Sequence, residues 1–362
     1  MNRLTAIGLA SLVAYGVLIA TKYVSVVSAA RHDKPVATRT APLDSASADD
    51  TVEVNPAPIA APVTVPFAAP SPVREPPMRA SAVAVEFRQA RDLKAFADAL
   101  LARKDTLTGD ERYHLAKALE QCQFATSLTE DIAAYAAKQR RQFIASLPLN
   151  DPNNAKRIAA YEAVDNTQRC ARFQGTKISQ KEIDDLLQQA AQEGDPRAQA
   201  RILVADLNKS LSQHPSDPSA QPGMVTPDDF SRIIGLLQTR DPEAMIIVGQ
   251  FLAQQNIASQ LRIGPNGEVP EPSAFLGAFS LVACDLGPDC TSLSRGPQLA
   301  CAYGGYCNSA SFEELYQNFL ASPWAYSQAV RYRGIIHTAI NTQNWSLIGL
   351  QPPTMDKTRV SQ

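Results

Sequence analysis

Four of the six cysteines stand in two pairs of equal spacing, "CDLGPDC" at 284–290 and "CAYGGYC" at 301–307. Such thiols can bind a metal ion, form a redox centre or join as disulfides. Structural zinc ligands usually have two to four residues between them, whereas five residues separate the members of each pair here. A thioredoxin-type centre needs Cys-x-x-Cys, and a haem attachment site adds a histidine to that motif, but neither occurs. The cysteines therefore predict disulfides in a protein exported from the cytosol.

The expected helices suggest how some of these cysteines pair. If helices near 86–103, 110–122, 130–147 and 154–171 run alternately up and down, Cys122 and Cys170 lie on one side of the array and a bridge between them is favoured. The other four can pair in three ways, and the spacing does not choose among them. Closure within each short loop suits the enclosed glycine and proline, whereas crossed pairing would clamp the flanking helices. Local closure is favoured. The expected disulfide residues are Cys122, Cys170, Cys284, Cys290, Cys301 and Cys307.

No other set of residues forms a catalytic signature. The histidines are widely separated, at positions 32, 114, 214 and 337, and no zinc-protease, nucleophile-elbow or phosphate-loop motif occurs. Adjacent acids stand at expected helix starts, where they complement the helix dipole, at 184–185, 228–229 and 313–314. Asp285 and Asp289 could offer oxygen ligands to calcium, but they lack the spacing of a calcium loop. The sequence predicts no metal, no cofactor and no catalytic residue.

An uncharged run of residues near the amino terminus predicts a membrane segment over residues 1–30. "LTAIGLASLVAYGVLIA", from Leu4 to Ala20, covers ~26 Å as a helix, at the short end of what spans a bilayer. We expect an uncleaved single-pass anchor. The alternative is a signal peptide cleaved near Ala30, after the small residues of "SAA", which would leave a periplasmic or secreted protein.

Two signals disagree about the side on which the body lies. Lys22, Arg31 and Lys34 follow the segment, whereas Arg3 alone precedes it, and this distribution of positive charge favours a cytoplasmic body. The cysteines favour an oxidising compartment. We follow the cysteines and expect a bacterial inner-membrane protein with a periplasmic body.

A linker over 31–81 separates the membrane segment from the folded body. Ten prolines occur between Pro35 and Pro77, as in "NPAPIAAPVTVPFAAPSPVREPP". Proline fixes φ and lacks an N–H group, so this stretch is expected to be disordered and extended. A spacer is favoured over a proline-rich ligand for a recognition domain.

The body, 82–348, is expected to be all-α, with a flexible tail over 349–362. Apolar residues recur every three or four positions, and strand-like alternation is rare. Capping residues and first-turn prolines punctuate the pattern. The helix starts that they predict lie at Ser179, Asp195, Thr226, Asp241, Ser311 and Ser322.

Two segments of the body align as copies of one helical hairpin. "ISQKEIDDLLQQAAQEGDPRAQARILVADL" from Ile178 matches "VTPDDFSRIIGLLQTRDPEAMIIVGQFLA" from Val225, with Asp-Pro at equivalent places. Over 178–254, and most clearly in "AAQEGDPRAQARIL", the chain resembles Sel1-like and tetratricopeptide helical-repeat proteins. The period is longer than theirs, and the glycine-rich closing turn of Sel1-like repeats is missing. The resemblance implies an irregular, solenoid-like stack of helical hairpins that binds protein partners.

The expected function is non-catalytic interaction with an envelope protein. With 34 basic and 36 acidic residues, the chain has no large field of one sign to attract nucleic acid. Aromatic residues concentrate near the carboxyl end, and the expected partner contacts are Tyr303, Tyr306, Trp324 and Tyr326. The alternative is an enzyme acting on peptidoglycan or another glycan, which requires two carboxylates facing each other across a cleft. The partner and the oligomeric state stay open.

Overall fold

The computed structural model describes residues 80–212, 225–287 and 290–350, and these residues are all-helical. They contain fourteen α-helices and no strand, only two isolated antiparallel bridges, Ile263 with Glu268 and Thr291 with Ser311. The predicted membrane segment, nearly all of the linker and the tail beyond residue 350 lie outside the described ranges. Within those ranges, no helix has the length and hydropathy to cross a membrane.

The helices follow one another with short connections. The first seven are α1 (Ala82–Gln89), α2 (Leu93–Leu101), α3 (Gly109–Thr126), α4 (Ile132–Ser146), α5 (Asn154–Val164), α6 (Gln180–Gln192) and α7 (Pro196–Ser212). The next seven are α8 (Pro227–Gln238), α9 (Pro242–Leu252), α10 (Gln255–Ala258), α11 (Pro272–Leu286), α12 (Arg295–Gly304), α13 (Phe312–Leu315) and α14 (Pro323–Thr342). A π-helical turn, Tyr316–Leu320, follows α13, and 3-10 turns occur at Lys104–Thr106, Ala171–Phe173 and Trp345–Ile348.

Side-chain caps begin the helices at the positions that the sequence predicts. Each cap oxygen accepts the main-chain N–H three residues further on, which has no partner inside the helix. These confirmed caps are Ser179, Asp195, Thr226, Asp241, Ser311 and Ser322.

Two helices are shorter than the sequence predicts. The helix expected over 86–103 is interrupted, because the Asp92 carboxylate accepts two main-chain N–H groups and starts α2 there. The helix expected over 154–171 ends with α5 at residue 164. There the Asp165 carboxylate accepts the N–H of Thr167 and holds a turn that competes with the helix.

The helices form two main cores. In the order α3, α6, α7, α9, α11 and α14, each helix packs against the next. The first core contains residues of α1 to α4, of α6 and of the start of α7, and the second contains residues of α7 to α11 and of α14. Leu350, in the predicted tail, is fully buried in the second core. Helices α9 and α11 approach closely, because a Cβ at Gly249 would lie 2.5 Å from the Cβ of Phe279.

The six cysteines form three pairs at disulfide distance, and no free cysteine remains. Cys122 of α3 pairs with Cys170, which lies in the turn after α5. The other two pairs close locally, from 284 to 290 and from 301 to 307. Both the predicted bridge and the favoured local closure are confirmed. The first pair ties the first core to the segment that leads into α6, and the local pairs brace the ends of α11 and α12.

Candidate interaction surface

The surface that carries the predicted aromatic contacts is built on the helix pair α5 and α12. Arg157, in the first turn of α5, donates from Nε to the carbonyl oxygen of Ala302 at 3.0 Å and from Nη2 to that of Tyr303 at 3.2 Å. Arg295, the first residue of α12, donates to the carbonyl oxygen of Val164 at 3.2 Å. Carbonyl groups at a helix end lack intrahelical partners and carry partial negative charge, so both contacts are favourable. The helices are thereby fixed antiparallel.

The second cysteine loop reverses the chain at the end of α12. Gly305 has φ of +77°, a left-handed conformation that suits glycine, and its N–H donates to the carbonyl oxygen of Cys301 at 3.0 Å. The bond from Cys301 to Cys307 then closes the loop. As a result the chain returns along α12, and the N–H of Tyr306 donates to the carbonyl oxygen of Ala300 at 3.3 Å.

A cleft of about 310 Å³ opens between α5 and this returning segment. It contains three alanines, one cation and no acid, and its lining residues are Lys156, Ala159, Ala160, Ala163, Ser292, Pro297, Gln298, Cys301, Tyr306, Cys307 and Ser309. The Lys156 ammonium donates to Asn308 Oδ1 at 2.6 Å. Ser309 is 7% exposed, and its Oγ has no hydrogen-bond partner. The cleft is therefore lined mostly by small residues. Of its polar groups, Lys156 bonds only a neutral side chain and the Ser309 hydroxyl has no partner.

The predicted contact residues lie in two segments, the second cysteine loop and the first turn of α14, and one of them lines the cleft. Tyr306 lines it and stacks on Phe319, with the ring centroids 5.1 Å apart. Tyr303 is 51% exposed, and Trp324, in the first turn of α14, is 59% exposed. Tyr326 is half-buried, and its hydroxyl donates to Glu313 Oε1 at 3.3 Å. Tyr303 and Tyr306 thus belong to the second cysteine loop, Trp324 is exposed at the start of α14, and Tyr326 lies deeper.

An aromatic stack supports Tyr303 from below. The rings of Phe143 and Tyr161 are stacked with centroids 4.3 Å apart, and Tyr303 meets both edge-on. Burial, together with the charge of Asp165, raises the pKa of Tyr161 to about 12, so its hydroxyl stays neutral at physiological pH.

We call the residues Lys156, Tyr303, Tyr306, Ser309, Phe319 and Trp324 the loop surface.

Half of the loop surface has no signal in the sequence. Lys156 and Ser309 lie 153 positions apart in the chain, and only the packing of α5 on α12 brings them to one cleft. Phe319 was not among the predicted contacts; it lies in the π-helical turn and is 39% exposed. Such turns are frequent at functional sites, and they cannot be recognised from apolar spacing.

A second polar cluster joins the first cysteine loop to α14. Asp285 accepts hydrogen bonds from His337 Nε2 at 2.7 Å and from Arg333 Nε at 2.7 Å. Arg333 also donates to Glu313 Oε1 at 2.9 Å. Burial disfavours the charged form of Asp285, but His337 and Arg333 outweigh it and lower its pKa to about 2. Asp285 was considered as a calcium ligand and not favoured, and Glu313 was expected to complement a helix dipole; both acids pair with Arg333.

A third cluster joins α3 to α7 and α9. Glu243 accepts hydrogen bonds from Tyr113 Oη at 2.6 Å and from Lys117 Nζ at 2.7 Å. Burial opposes the charge of Glu243, but Lys117 and Tyr113 lower its pKa to about 2. Arg197 donates to Asp110 Oδ1 at 2.5 Å in the same region. Acids and bases are matched here, which favours a structural role for the cluster.

A larger cleft, of about 530 Å³, lies where α3, α6 and the first 3-10 turn meet. Its lining has three acids, three bases and no aromatic residue; the charged lining residues are Lys104, Asp105, Arg112, Lys181, Glu182 and Asp185. The smaller cleft contains an aromatic residue but no acid. Neither of these two clefts combines a carboxylate pair with an aromatic wall.

The chain matches no protein-family model, no curated protein and no solved structure.

Proposed function

We propose that this protein acts by non-catalytic protein–protein interaction and that the loop surface is where a partner binds. The observation that carries the proposal is the exposure of large apolar side chains in and after the second cysteine loop: Tyr303 at 51%, Phe319 at 39% and Trp324 at 59%. Grouped exposed apolar residues mark interaction sites, and Trp and Tyr are enriched among the residues that contribute most to binding.

The rigidity of the loop surface supports this proposal. The Cys301–Cys307 pair and the contacts of Arg157 to the end of α12 fix the segment that carries Tyr303 and Tyr306. A surface that is already ordered loses little conformational entropy on binding, so its contacts contribute more to affinity.

We further propose that the body is held in the periplasm by the segment at residues 1–30, or is released there after cleavage near Ala30. The pairing of all six cysteines supports an oxidising compartment. The helix pairs α6–α7 and α8–α9 cover the region that resembles Sel1-like and tetratricopeptide repeats. Binding of protein partners is what that resemblance implies.

The contents of the two clefts favour binding over a glycan-acting enzyme. Glycoside hydrolysis uses two carboxylates on opposite sides of the scissile bond. The acids Asp105, Glu182 and Asp185 lie in a cleft among cations, and the aromatic cleft beside Tyr306 has none.

Site-specific photo-crosslinking of the full-length chain in its native cell tests the proposal. A photoreactive phenylalanine analogue at position 324 or 319 is expected to give one discrete adduct. The same analogue at Leu101, which at 37% is about as exposed as Phe319 and lies at the end of α2, is the control. Adducts of equal yield at all three positions, or none at 319 and 324, would refute the loop surface as the binding site.

A further inference from the structure

We infer that the small cleft receives a short extended segment of the partner that carries an acidic residue among small ones. This inference rests on the proposed function and adds the chemistry of the partner. It depends on three properties of the cleft: its charge, the unpaired Ser309 hydroxyl, and its length and floor.

The charge of the cleft selects an acid. Lys156 is the one charged residue in the lining, and in the described part of the chain it has no carboxylate partner. Its single contact is with the neutral Asn308 side chain at 2.6 Å. A carboxylate that replaced this contact would keep a charge-assisted hydrogen bond and add the attraction of an opposite charge, which the neutral Asn308 amide lacks.

The Ser309 hydroxyl supplies a second, independent polar contact. Its Oγ is buried without a hydrogen-bond partner, although Ser309 lines the cleft. A buried polar group without a partner is costly, by about 1–3 kcal/mol, and native proteins rarely leave one. A main-chain carbonyl or amide of a bound segment would satisfy it, so the hydroxyl indicates a ligand with peptide-like polar groups.

The floor of the cleft fixes the length and size of the occupant. Lys156, Ala159 and Ala163 lie along one face of α5, and the helical rise places the first and last of them about 10 Å apart. An extended chain covers this distance with about three residues. The alanines leave room for a main chain with small side chains, and Tyr306 lies beside it.

Selection from a displayed library of random heptapeptides against the full-length chain tests this inference. The unmodified protein is expected to enrich Asp or Glu flanked by Gly, Ala or Ser. Lys156→Glu is expected to reverse the preference to Lys or Arg at the same place. Lys181→Glu, at an exposed lysine of the other cleft, should select the same peptides as the unmodified protein.

Affinity measurements on one selected peptide then separate the two polar groups. Lys156→Ala is expected to weaken binding about tenfold. Ser309→Ala is expected to weaken binding about fivefold while Tm stays the same or rises, because the variant removes an unsatisfied hydroxyl. A merely structural serine would behave in the opposite way, with a lower Tm and unchanged binding.

The outcomes distinguish the two proposals. Crosslinking at position 324 together with no acidic enrichment, or with binding that ignores both Lys156 and Ser309, overturns the inference and leaves the proposed function intact. Enrichment of peptides rich in large side chains also overturns it, because such side chains would not fit over the alanines. Absence of any crosslinked partner overturns the proposed function itself.

Discussion

Arg157 and Arg295 hold helices α5 and α12 together from opposite ends. Each lies in the first turn of its own helix and donates to carbonyl oxygens at the far end of the other. Arg157 is the more buried, at 9% exposure, and its guanidinium also pairs with Asp151 at 2.9 Å. The width of the small cleft is therefore set by two long side chains and not by apolar packing alone.

Replacing Arg157 should destabilise the protein strongly. Arg157→Ala leaves two carbonyl groups and Asp151 without their donor, so we expect a loss of about 3 kcal/mol. Arg157→Lys keeps the charge but not the planar set of guanidinium donors. Its loss of unfolding free energy should be nearly as large as that of Arg157→Ala. Arg140→Ala, which breaks an exposed ion pair with Glu162, should cost less than about 1 kcal/mol. Urea unfolding measures all three, and equal losses for Arg157 and Arg140 would contradict the assignment.

Two helical glycines should respond to alanine with opposite signs. A Cβ at Gly277 would overlap the ring of Tyr316, whereas a Cβ at Gly235 meets nothing within 4 Å. Gly277→Ala is expected to destabilise by about 1–3 kcal/mol through overpacking. Gly235→Ala, on the exposed face of α8, should stabilise by about 0.5–1 kcal/mol, because alanine loses less backbone entropy in a helix. Thermal unfolding of both variants is the check, and a shift of the same sign in both would count against this packing.

The stability of the second core should fall in acid because of Asp285. Its folded-state pKa of about 2 lies below the ordinary value of 3.8, so the folded state binds fewer protons between these values. The stabilisation is fully present above about pH 4 and is lost as the pH falls toward 2. Asp285→Asn should cost about 2 kcal/mol at neutral pH and flatten this decline. Unfolding curves measured from pH 7 to pH 2 test this, and an unchanged slope would disprove it.

The three cysteine pairs should contribute unequally. Cys122 and Cys170 are 48 residues apart, whereas the members of each local pair are 6 apart. By the loop-entropy model, replacing the long-range pair with alanines costs about 4 kcal/mol and replacing a local pair about 2 kcal/mol. Urea unfolding gives the difference, and thiol titration of the denatured, unreduced protein should find almost no free thiol. A larger loss of unfolding free energy for the pair at 301 and 307 than for the long-range pair would contradict the loop-entropy ranking.

The two tryptophans should report two different environments. Trp324 is 59% exposed and Trp345 is 5% exposed. We expect iodide to quench the fluorescence of the Trp345→Phe variant strongly and that of the Trp324→Phe variant weakly. Trp324→Ala should change the free energy of unfolding by less than about 0.5 kcal/mol, and Trp345→Ala by about 3–5 kcal/mol. Equal quenching of the two single-tryptophan variants would contradict the placement of Trp324 on the loop surface.

Features set by neighbouring residues could be predicted from the sequence. The caps at Thr226 and Asp241 depend on a side chain and an N–H three residues away, and local closure from 284 to 290 depends on one short loop. The Cys122–Cys170 bridge followed from helix order, although α5 ends six residues before Cys170.

Features set by packing could not be predicted in this way. Asp285 meets Arg333 and His337 only because α11 packs on α14, and nothing in the spacing of these residues along the chain indicates the contact. The break at Asp92 was missed because apolar spacing continues through it, while the carboxylate favours a cap. The cleft between α5 and α12 has no local signature at all.

Helices α5 and α12 pack together although they are far apart in the chain. Arg157 and the carbonyl group of Ala302 that it binds are 145 residues apart, and everything from α6 to α11 must be synthesised between them. Contacts of such separation form late, because a long loop must close first. A chain truncated before residue 295 therefore lacks one wall of the cleft, and the loop surface is complete only after synthesis has passed Trp324.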